Sequence, residues 1–235
     1  MKNIFVAMPN YSGELNDLTK ASLERLQKDI SVRGWGYKTS RVIGDSLLVR
    51  ARAVLIAEFL ASDCTDMLCL DDDLAWDGDE AMRLLEHPAD FVGGVYRAKQ
   101  DEPLYFTRWM DKPDLVADPE YGLLEVESIP AGFMKLSRAC VERMVNTFPN
   151  LQFEEPHAPN GVAWLLFSFE LVDNKLWGED YIFCKRWREI GGRIFIDPDM
   201  TLKHIGKANK DGIAKVYTGN LGHWLRNRDT ERKAA

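Results

Sequence analysis

Short apolar runs alternate with amphipathic stretches through the first part of the chain. The runs at residues 2–8, 35–43, 66–70 and 90–92 predict β-strands, and the apolar spacing predicts helices over residues 17–32, over residues 78–86 and from residue 46 onward. Helices between successive short strands are typical of βαβ units in a parallel sheet. Ligands of such sheets bind beyond the carboxyl ends of the strands. Residues 9–11 and 71–73 follow two of the strands, which makes them the first candidates for a site.

The second part of the chain is less regular. Its pattern predicts strands at residues 103–108, 122–126, 162–169, 193–196 and 201–204, and helices at residues 136–147 and 179–190. Residues 150–160 carry several turn formers and are expected to form a loop. The chain becomes polar near its end, so we expect one domain over residues 1–206 and a C-terminal tail or flap over residues 207–235.

Composition narrows the class of protein. Of the 235 residues, 46% are hydrophobic and 29% are charged, a balance typical of a globular chain rather than a disordered one. The net charge of −7 argues against general coating of nucleic acid, which depends on cationic contacts with phosphates. The four cysteines form no C-x-x-C pair, and no apolar stretch reaches the roughly 20 residues that span a bilayer. We therefore expect a soluble protein of a reducing compartment, the cytoplasm.

The strongest local signal is the run of three acidic residues Asp71, Asp72 and Asp73, directly after a buried strand. Carboxylates this close repel one another unless a cation or hydrogen bonds offset the repulsion. Side chains alternate along an extended segment, so Asp71 and Asp73 face one side while Asp72 faces the other. Oxygen ligands of this kind suit Mg²⁺ or Mn²⁺. A solvated acidic turn that caps the following helix is the alternative.

Two further features carry possible chemistry. Glu179 and Asp180 open a predicted helix after Gly178, with the apolar stripe of that helix beside them, so they are able to point toward the protein body. Capping by the helix dipole and the free N–H groups explains the same acids without any catalytic role. His204 lies on a predicted late strand, where a lone histidine is either a ligand or a structural residue.

The order of these features resembles the GT-A fold of nucleotide-sugar glycosyltransferases. The matching features, in sequence order, are the Asp-x-Asp at residues 71–73, Pro-Ala-Gly-Phe at 130–133, Glu-Asp at 179–180, Gly-Gly at 191–192 and His204. The resemblance runs from residue 2 to about residue 206, and residues 45–52, 59–60, 70–73 and 93–96 look like the small bacterial and phage-type enzymes. It implies an α/β protein with a Rossmann-like central mixed sheet flanked by helices.

The resemblance also implies a role for each candidate residue. Asp71, Asp73 and His204 would hold Mn²⁺ or Mg²⁺ on the donor diphosphate, with Asp71 also near the ribose. The implied nucleotide-binding residues are Pro9, Asn10, Tyr11, Arg50, Arg52 and Asp72. Gly132 and Phe133 would line the sugar and acceptor side, and Trp177, beside the Glu-Asp pair, is expected to stack on a sugar. Asp180 would be the catalytic carboxylate, with Glu179 second.

The implied activity is metal-dependent transfer of a sugar from a UDP- or GDP-linked donor to an acceptor hydroxyl. The acceptor is left open and includes glycans, lipid-linked oligosaccharides, proteins and nucleic acid bases. Two other functions remain compatible with the same residues. One is a metal-dependent phosphoesterase or nuclease that uses the same carboxylates. The other is a sugar-binding module without catalytic activity, in which the acidic turns are structural.

Overall fold

The fold is taken from a computed structural model, which describes residues 1–111 and 115–234, with side chains through residue 228. Residue 235, the end of the expected tail, lies outside the described residues. The α-helices are α1 (Asp17–Val32), α2 (Leu48–Leu60), α3 (Glu80–Glu86), α4 (Arg138–Thr147), α5 (Glu179–Glu189) and α6 (Leu221–Ala234). Two short 3₁₀ helices cover Pro149–Leu151 and Pro159–Gly161.

Most of the strands are short. The first eight are β1 (Asn3–Asn10), β2 (Gly36–Ile43), β3 (Asp66–Leu70), β4 (Leu74–Ala75), β5 (Phe91–Gly93), β6 (Arg108–Trp109), β7 (Leu124–Ser128) and β8 (Phe133–Ser137). The others are β9 (Gln152–Glu154), β10 (Val162–Trp164), β11 (Glu170–Val172), β12 (Lys175–Trp177), β13 (Ile194–Ile196), β14 (Thr201–Ala208) and β15 (Ala214–Asn220).

A large mixed sheet forms the centre of the protein, in the order β2-β1-β3-β8-β5-β13-β7-β6. Strands β2, β1 and β3 run parallel to one another, as the βαβ pattern predicts. Strand β8 is antiparallel to both β3 and β5, which makes the sheet mixed. The hydrophobic core lies on both faces of this sheet, because one apolar cluster includes side chains of α2, α4 and α5, and another includes side chains of α1 and α3.

The predicted helix at residues 136–147 is wrong at its beginning. Residues 133–137 form β8 in the middle of the sheet, and α4 begins only at Arg138. The Ser137 side chain caps α4 by accepting a hydrogen bond from the backbone N–H of Cys140. The first four residues of β8 are buried, so they lack the polar alternation that distinguishes a strand from a helix in the sequence.

Several predicted strands are also shorter than expected. Residues 103–108 contribute an isolated bridge between Arg97 and Tyr105 and the start of β6. Residues 162–169 form only β10, after which β11 and β12 make a separate hairpin. The expected loop at residues 150–160 contains the first 3₁₀ helix and β9, which pairs with β10.

A three-stranded sheet, β15-β14-β4, joins the end of the chain to the segment after β3. Strand β14 runs through residue 206, so the expected tail begins inside a strand and continues as β15 and α6. The buried side chain of Leu221 and the contact of the Trp224 ring with Tyr105 pack α6 onto the protein. In the part of the chain that the structure describes, no helix has the length and apolar character needed to cross a membrane.

Candidate functional site

A cleft opens at the carboxyl ends of β1 and β3, where the fold class predicts ligand binding. Its volume is about 410 Å³. The residues that line it are Pro9, Asn10, Tyr11, Asp45, Ser46, Leu48, Asp71, Asp72, Asp73, Tyr96 and His204. The cleft thus brings together the three consecutive acidic residues, the end of β1 and a histidine from β14.

His204 reaches the acidic residues because β14 pairs with β4, which directly follows Asp73. His204 is the register partner of Leu74 in this pairing. The Nε2 atom of His204 lies 3.5 Å from Oδ1 of Asp73, and its Nδ1 atom lies 2.9 Å from the backbone oxygen of Arg97. A carbonyl oxygen only accepts, so Nδ1 donates its hydrogen to Arg97 and Nε2 is the ring nitrogen that faces Asp73.

Asp73 is held from its other side by Lys99, whose ammonium group contacts Oδ2. Burial works to raise the pKa of Asp73, but the contacts with His204 and Lys99 outweigh it and leave the pKa below its ordinary value. Asp73 is therefore ionised in the cleft. Lys99 is not a candidate from the sequence, and Tyr96, which packs edge-on against the His204 ring at 4.8 Å, enters there only through the resemblance at residues 93–96.

Asp71 is bound by two side chains of the protein. Its Oδ1 accepts a hydrogen bond of 3.0 Å from Arg52, and its Oδ2 accepts one of 3.1 Å from the hydroxyl of Tyr96. Gly132 leaves the space for this arrangement, because a Cβ atom there would lie 2.3 Å from Oδ2 of Asp71 and 2.6 Å from the Tyr96 oxygen. Gly132 thus borders the site, as expected, although not as a cleft-lining residue.

The neighbouring acid, Asp72, faces a different partner. Its Oδ2 accepts a hydrogen bond of 2.6 Å from the side chain of Asn10, which is itself buried. Burial is the main cause of the raised pKa of Asp72. The alternation expected for an extended acidic run is not observed, because residues 72 and 73 form a turn and all three acids line the cleft. Asn10 holds Asp72 within it. Tyr11, by contrast, is exposed at the edge of the cleft.

The two candidate arginines of α2 have different environments. Arg52 is buried, lies with Nε 3.9 Å from Oε1 of Glu179, and places its guanidinium carbon 5.2 Å from the centre of the Phe167 ring. Arg50 is exposed and makes two hydrogen bonds with Asp45, of 2.7 and 3.0 Å. Arg52 therefore connects the end of β3 to the start of α5. Arg50 does not line the cleft but a separate cavity, so its expected contact with the nucleotide is corrected.

Asp180 is the acid with the most perturbed titration in this region. It lies in the first turn of α5, and its Oδ1 accepts a hydrogen bond of 2.8 Å from the backbone N–H of Tyr181. Burial, together with the negative charge of Glu179, raises the pKa of Asp180 to about 6. The charge of Asp180 in turn contributes to the raised pKa of Tyr96. A carboxyl group with a pKa near neutrality is suited to proton transfer.

Two expected sugar-contacting residues lie away from the cleft. Phe133 is fully buried in β8, where its ring packs 5.2 Å from the ring of Trp76, so the expectation that it lines the sugar side is corrected. Its position in the central strand of the sheet turns the ring into the core. Trp177 lines a second cavity beside α5 rather than the cleft itself.

A divalent ion fits part of the expected ligand set. Asp73 is ionised and His204 has its Nδ1 hydrogen donated to a carbonyl, the arrangement that orients metal-binding histidines. Both oxygens of Asp71 are bound by Arg52 and Tyr96, whereas Asp73 has Lys99 on Oδ2 and turns Oδ1 toward His204. Among the described side chains, no three His, Cys, Asp or Glu groups converge as a complete protein metal site would require. The donor set therefore fits an ion held by two protein ligands together with substrate phosphates, a common mode for Mg²⁺.

Comparison with known proteins adds little to this geometry. No protein-family model and no curated protein matches the sequence. Among solved structures, one similar protein is a glycosyltransferase involved in the glycosylation of the major capsid of PBCV-1. The two chains share 12% identity over 63% of this chain and 66% of the other, slightly less than two thirds, with a TM-score of 0.35. A similarity this distant does not assign a function to the cleft.

Proposed function

We propose that this protein is a GT-A glycosyltransferase that uses Mn²⁺ or Mg²⁺ to transfer a sugar from a UDP- or GDP-linked donor to an acceptor hydroxyl. The observation that carries the proposal is the approach of His204 to Asp73 in the cleft at the end of β3, at 3.5 Å. Two groups that are remote in sequence meet where a parallel sheet binds its ligands. The motif order of the sequence supports the same assignment.

The donor would lie along the cleft, with its base near Pro9 and Tyr11 and its diphosphate near Asp73 and His204. These last two residues would hold the ion, and when bound it supplies charge stabilisation for the leaving diphosphate without a proton. Lys99, already in contact with Asp73, adds a second positive charge on this side. Arg52 keeps Asp71 in place beside the sugar and ribose.

Asp180 is proposed as the catalytic carboxylate. In an inverting reaction it accepts the proton of the acceptor hydroxyl as that oxygen attacks the anomeric carbon. Glu179, which lies 3.9 Å from Arg52, links the first turn of α5 to the arginine that binds Asp71. In a retaining reaction the same two acids would orient the acceptor and the sugar. The four cysteines are buried and unpaired, which supports a reducing compartment such as the cytoplasm.

Thermal unfolding with nucleotides tests the proposal directly. A ligand that binds only the native state raises the melting temperature, so UDP or GDP with Mn²⁺ should raise it and the same nucleotides with EDTA should raise it less. AMP with Mn²⁺ is the control for unspecific binding of nucleotide and metal. If no nucleoside diphosphate shifts the melting temperature in the presence of metal, the proposed function is wrong.

A turnover assay then separates an enzyme from a sugar-binding module. Release of nucleoside diphosphate from a panel of nucleotide sugars should be lost in Asp180→Ala, while the melting shift with nucleotide and Mn²⁺ is kept. A binding module would show the melting shift, but neither the unchanged protein nor the variant would release nucleoside diphosphate. Hydrolysis of a simple phosphodiester that Asp73→Ala abolishes would instead favour a phosphoesterase.

A further inference from the structure

A second cavity of about 390 Å³ lies against α5 and shares no lining residue with the cleft. Six of its lining side chains matter here: Arg108, Ser128, Trp177, Tyr181, Lys185 and Arg188. They come from the edge strand β6 and its neighbour β7, from the end of the β11–β12 hairpin and from α5. This volume lies within the range of small-ligand sites in proteins.

Ser128 is a buried polar group that the protein leaves unsatisfied. The residue is 3% exposed, and its Oγ has no hydrogen-bond partner among the described residues. Buried hydroxyls are nearly always hydrogen-bonded, because an unmade bond costs the full desolvation of the group. A ligand hydroxyl in the cavity would complete this bond.

The charged groups around the cavity are already paired with acids. Arg108 lies 3.2 Å from Glu127, Lys185 lies 2.5 Å from Glu189, and Arg188 lies 3.4 Å from Glu125. Binding of a phosphate-rich polymer depends on cations that neutralise phosphates. Because three cations face three carboxylates, the cavity suits a neutral ligand that both donates and accepts hydrogen bonds.

Two aromatic side chains give the cavity its apolar surface. The indole of Trp177 is partly buried and is held by the guanidinium of Arg108, which stacks 4.3 Å from the ring centre. Tyr181 contributes a second ring. Tryptophan and tyrosine combine a flat apolar face with a polar edge. A pyranose ring presents the matching chemistry, with C–H groups on its face and hydroxyls at its edge.

The first turn of α5 lies beside the cavity and is linked by contacts to the acidic run. Glu179 approaches Arg52, which binds Asp71, Tyr181 lines the second cavity, and Asp180 stands between Glu179 and Tyr181 in the chain. A molecule seated in the cavity would therefore lie next to the turn that carries the proposed catalytic carboxylate.

We propose that the second cavity binds a pyranose unit of the acceptor, so that the acceptor is a carbohydrate rather than a lipid, a protein or a nucleic acid. Only the identification of this ligand as the acceptor rests on the proposed function. Its physical basis is independent of the donor cleft: an unpartnered buried hydroxyl, paired charges and an aromatic wall.

Saccharide binding by the full chain tests the inference without any donor. The probes are methyl α- and β-glycosides of glucose, galactose, mannose and N-acetylglucosamine, and their β-linked disaccharides, followed by saturation-transfer NMR and titration. Ser128→Ala should weaken binding about 3- to 10-fold, the value of one neutral hydrogen bond. Trp177→Ala should weaken it about tenfold or more, since the aromatic wall is lost.

Thr107→Val is the matched control, because Thr107 also carries a buried hydroxyl without a partner but does not line the cavity. It should bind saccharides like the unchanged protein, and melting temperatures confirm that all three variants fold. The inference is overturned if no saccharide binds, if both cavity variants bind as the unchanged protein does, or if a single-stranded oligonucleotide occupies the cavity instead.

The nucleotide melting assay separates this inference from the proposed function. A nucleoside diphosphate shift without saccharide binding leaves the glycosyltransferase standing and removes only the carbohydrate acceptor. Saccharide binding without any nucleotide shift contradicts the glycosyltransferase, and the assignment of the cavity to an acceptor is then overturned as well.

Discussion

The Nε2 atom of His204 lies 3.5 Å from Oδ1 of Asp73. Asp73 lies in the turn between β3 and β4, and the pairing of β14 with the two-residue strand β4 brings His204 to it. A hydrogen bond from Nδ1 to the backbone oxygen of Arg97 sets the orientation of the ring. The ring nitrogen Nε2 and the Asp73 carboxylate thus lie side by side in the cleft, where both are of the types that bind divalent cations.

Removing either member of this pair should abolish the metal-dependent part of nucleotide binding. We expect Asp73→Asn and His204→Gln each to weaken binding of UDP or GDP in Mn²⁺ by about 10- to 100-fold, the usual cost of disturbing a metal site. Titration calorimetry with and without EDTA measures the effect. Asp77→Asn is the control, because Asp77 is an exposed acid that pairs with Lys203 outside the cleft. Equal losses in all three variants would contradict the assignment.

Turnover should depend on pH through Asp180. The pKa of this carboxyl is raised to about 6 by burial and by Glu179, and a general base works only when ionised. In an inverting reaction, kcat should therefore rise tenfold for each pH unit below about 6 and level off above it. Asp180→Asn should abolish the reaction, and this pH dependence should be lost with it. A flat profile between pH 5 and 7, at constant metal occupancy, would exclude Asp180 as the base.

The same raised pKa predicts a gain in stability when the charge is removed. A carboxyl whose folded pKa lies above its unfolded value favours the folded state when protonated, and this contribution is lost as the pH rises through about 6. Asp180→Asn should thus raise the free energy of unfolding at pH 7.5 by roughly 1–2 kcal/mol, after allowance for partial exposure. The gain should disappear near pH 4. Urea unfolding at the two pH values measures it, and a loss of stability at both would contradict the burial argument.

Two arginines on α2 offer a matched test of buried against exposed pairing. Arg52→Met should lower the free energy of unfolding by roughly 2–3 kcal/mol, because Asp71 and Glu179 lose the buried cation between them. Arg50→Met should cost less than about 1 kcal/mol, because the Arg50 side of the pair with Asp45 is exposed to water. Urea unfolding measures both losses of free energy, provided that the dependence of the free energy on urea concentration is unchanged in the variants. Equal costs for the two variants would show that Arg52 does not organise the site.

Much of the first half of the fold follows from local patterns. The helix predicted at residues 17–32 is confirmed as α1, and the strand predicted at residues 66–70 is confirmed as β3. Both signals are local: apolar residues at helical spacing, and a short apolar run flanked by polar groups. The position of the acidic run at the end of a strand could be inferred for the same reason.

The arrangement of the site depends on contacts between distant segments. Lys99 and Tyr96 lie in an irregular stretch with no periodic pattern, so nothing local marks them as neighbours of Asp73 and Asp71. The difference between Arg50 and Arg52 is one of helix face, which a sequence predicts only when the register of the helix against the sheet is known. The strand β8 was hidden because its first four residues are buried.

By itself, the sequence determined the alternation of strands and helices, the three acids at the carboxyl end of a buried strand and the acids that open α5. These depend on periodicity and on neighbours in the chain. Only the tertiary structure decided that His204 meets Asp73, that Arg52 rather than Arg50 binds Asp71, that Phe133 belongs to the core, and that Trp177 lines a separate cavity. The physical reason is that each of these contacts joins segments far apart in sequence, and strand order and packing across the sheet alone set their distance.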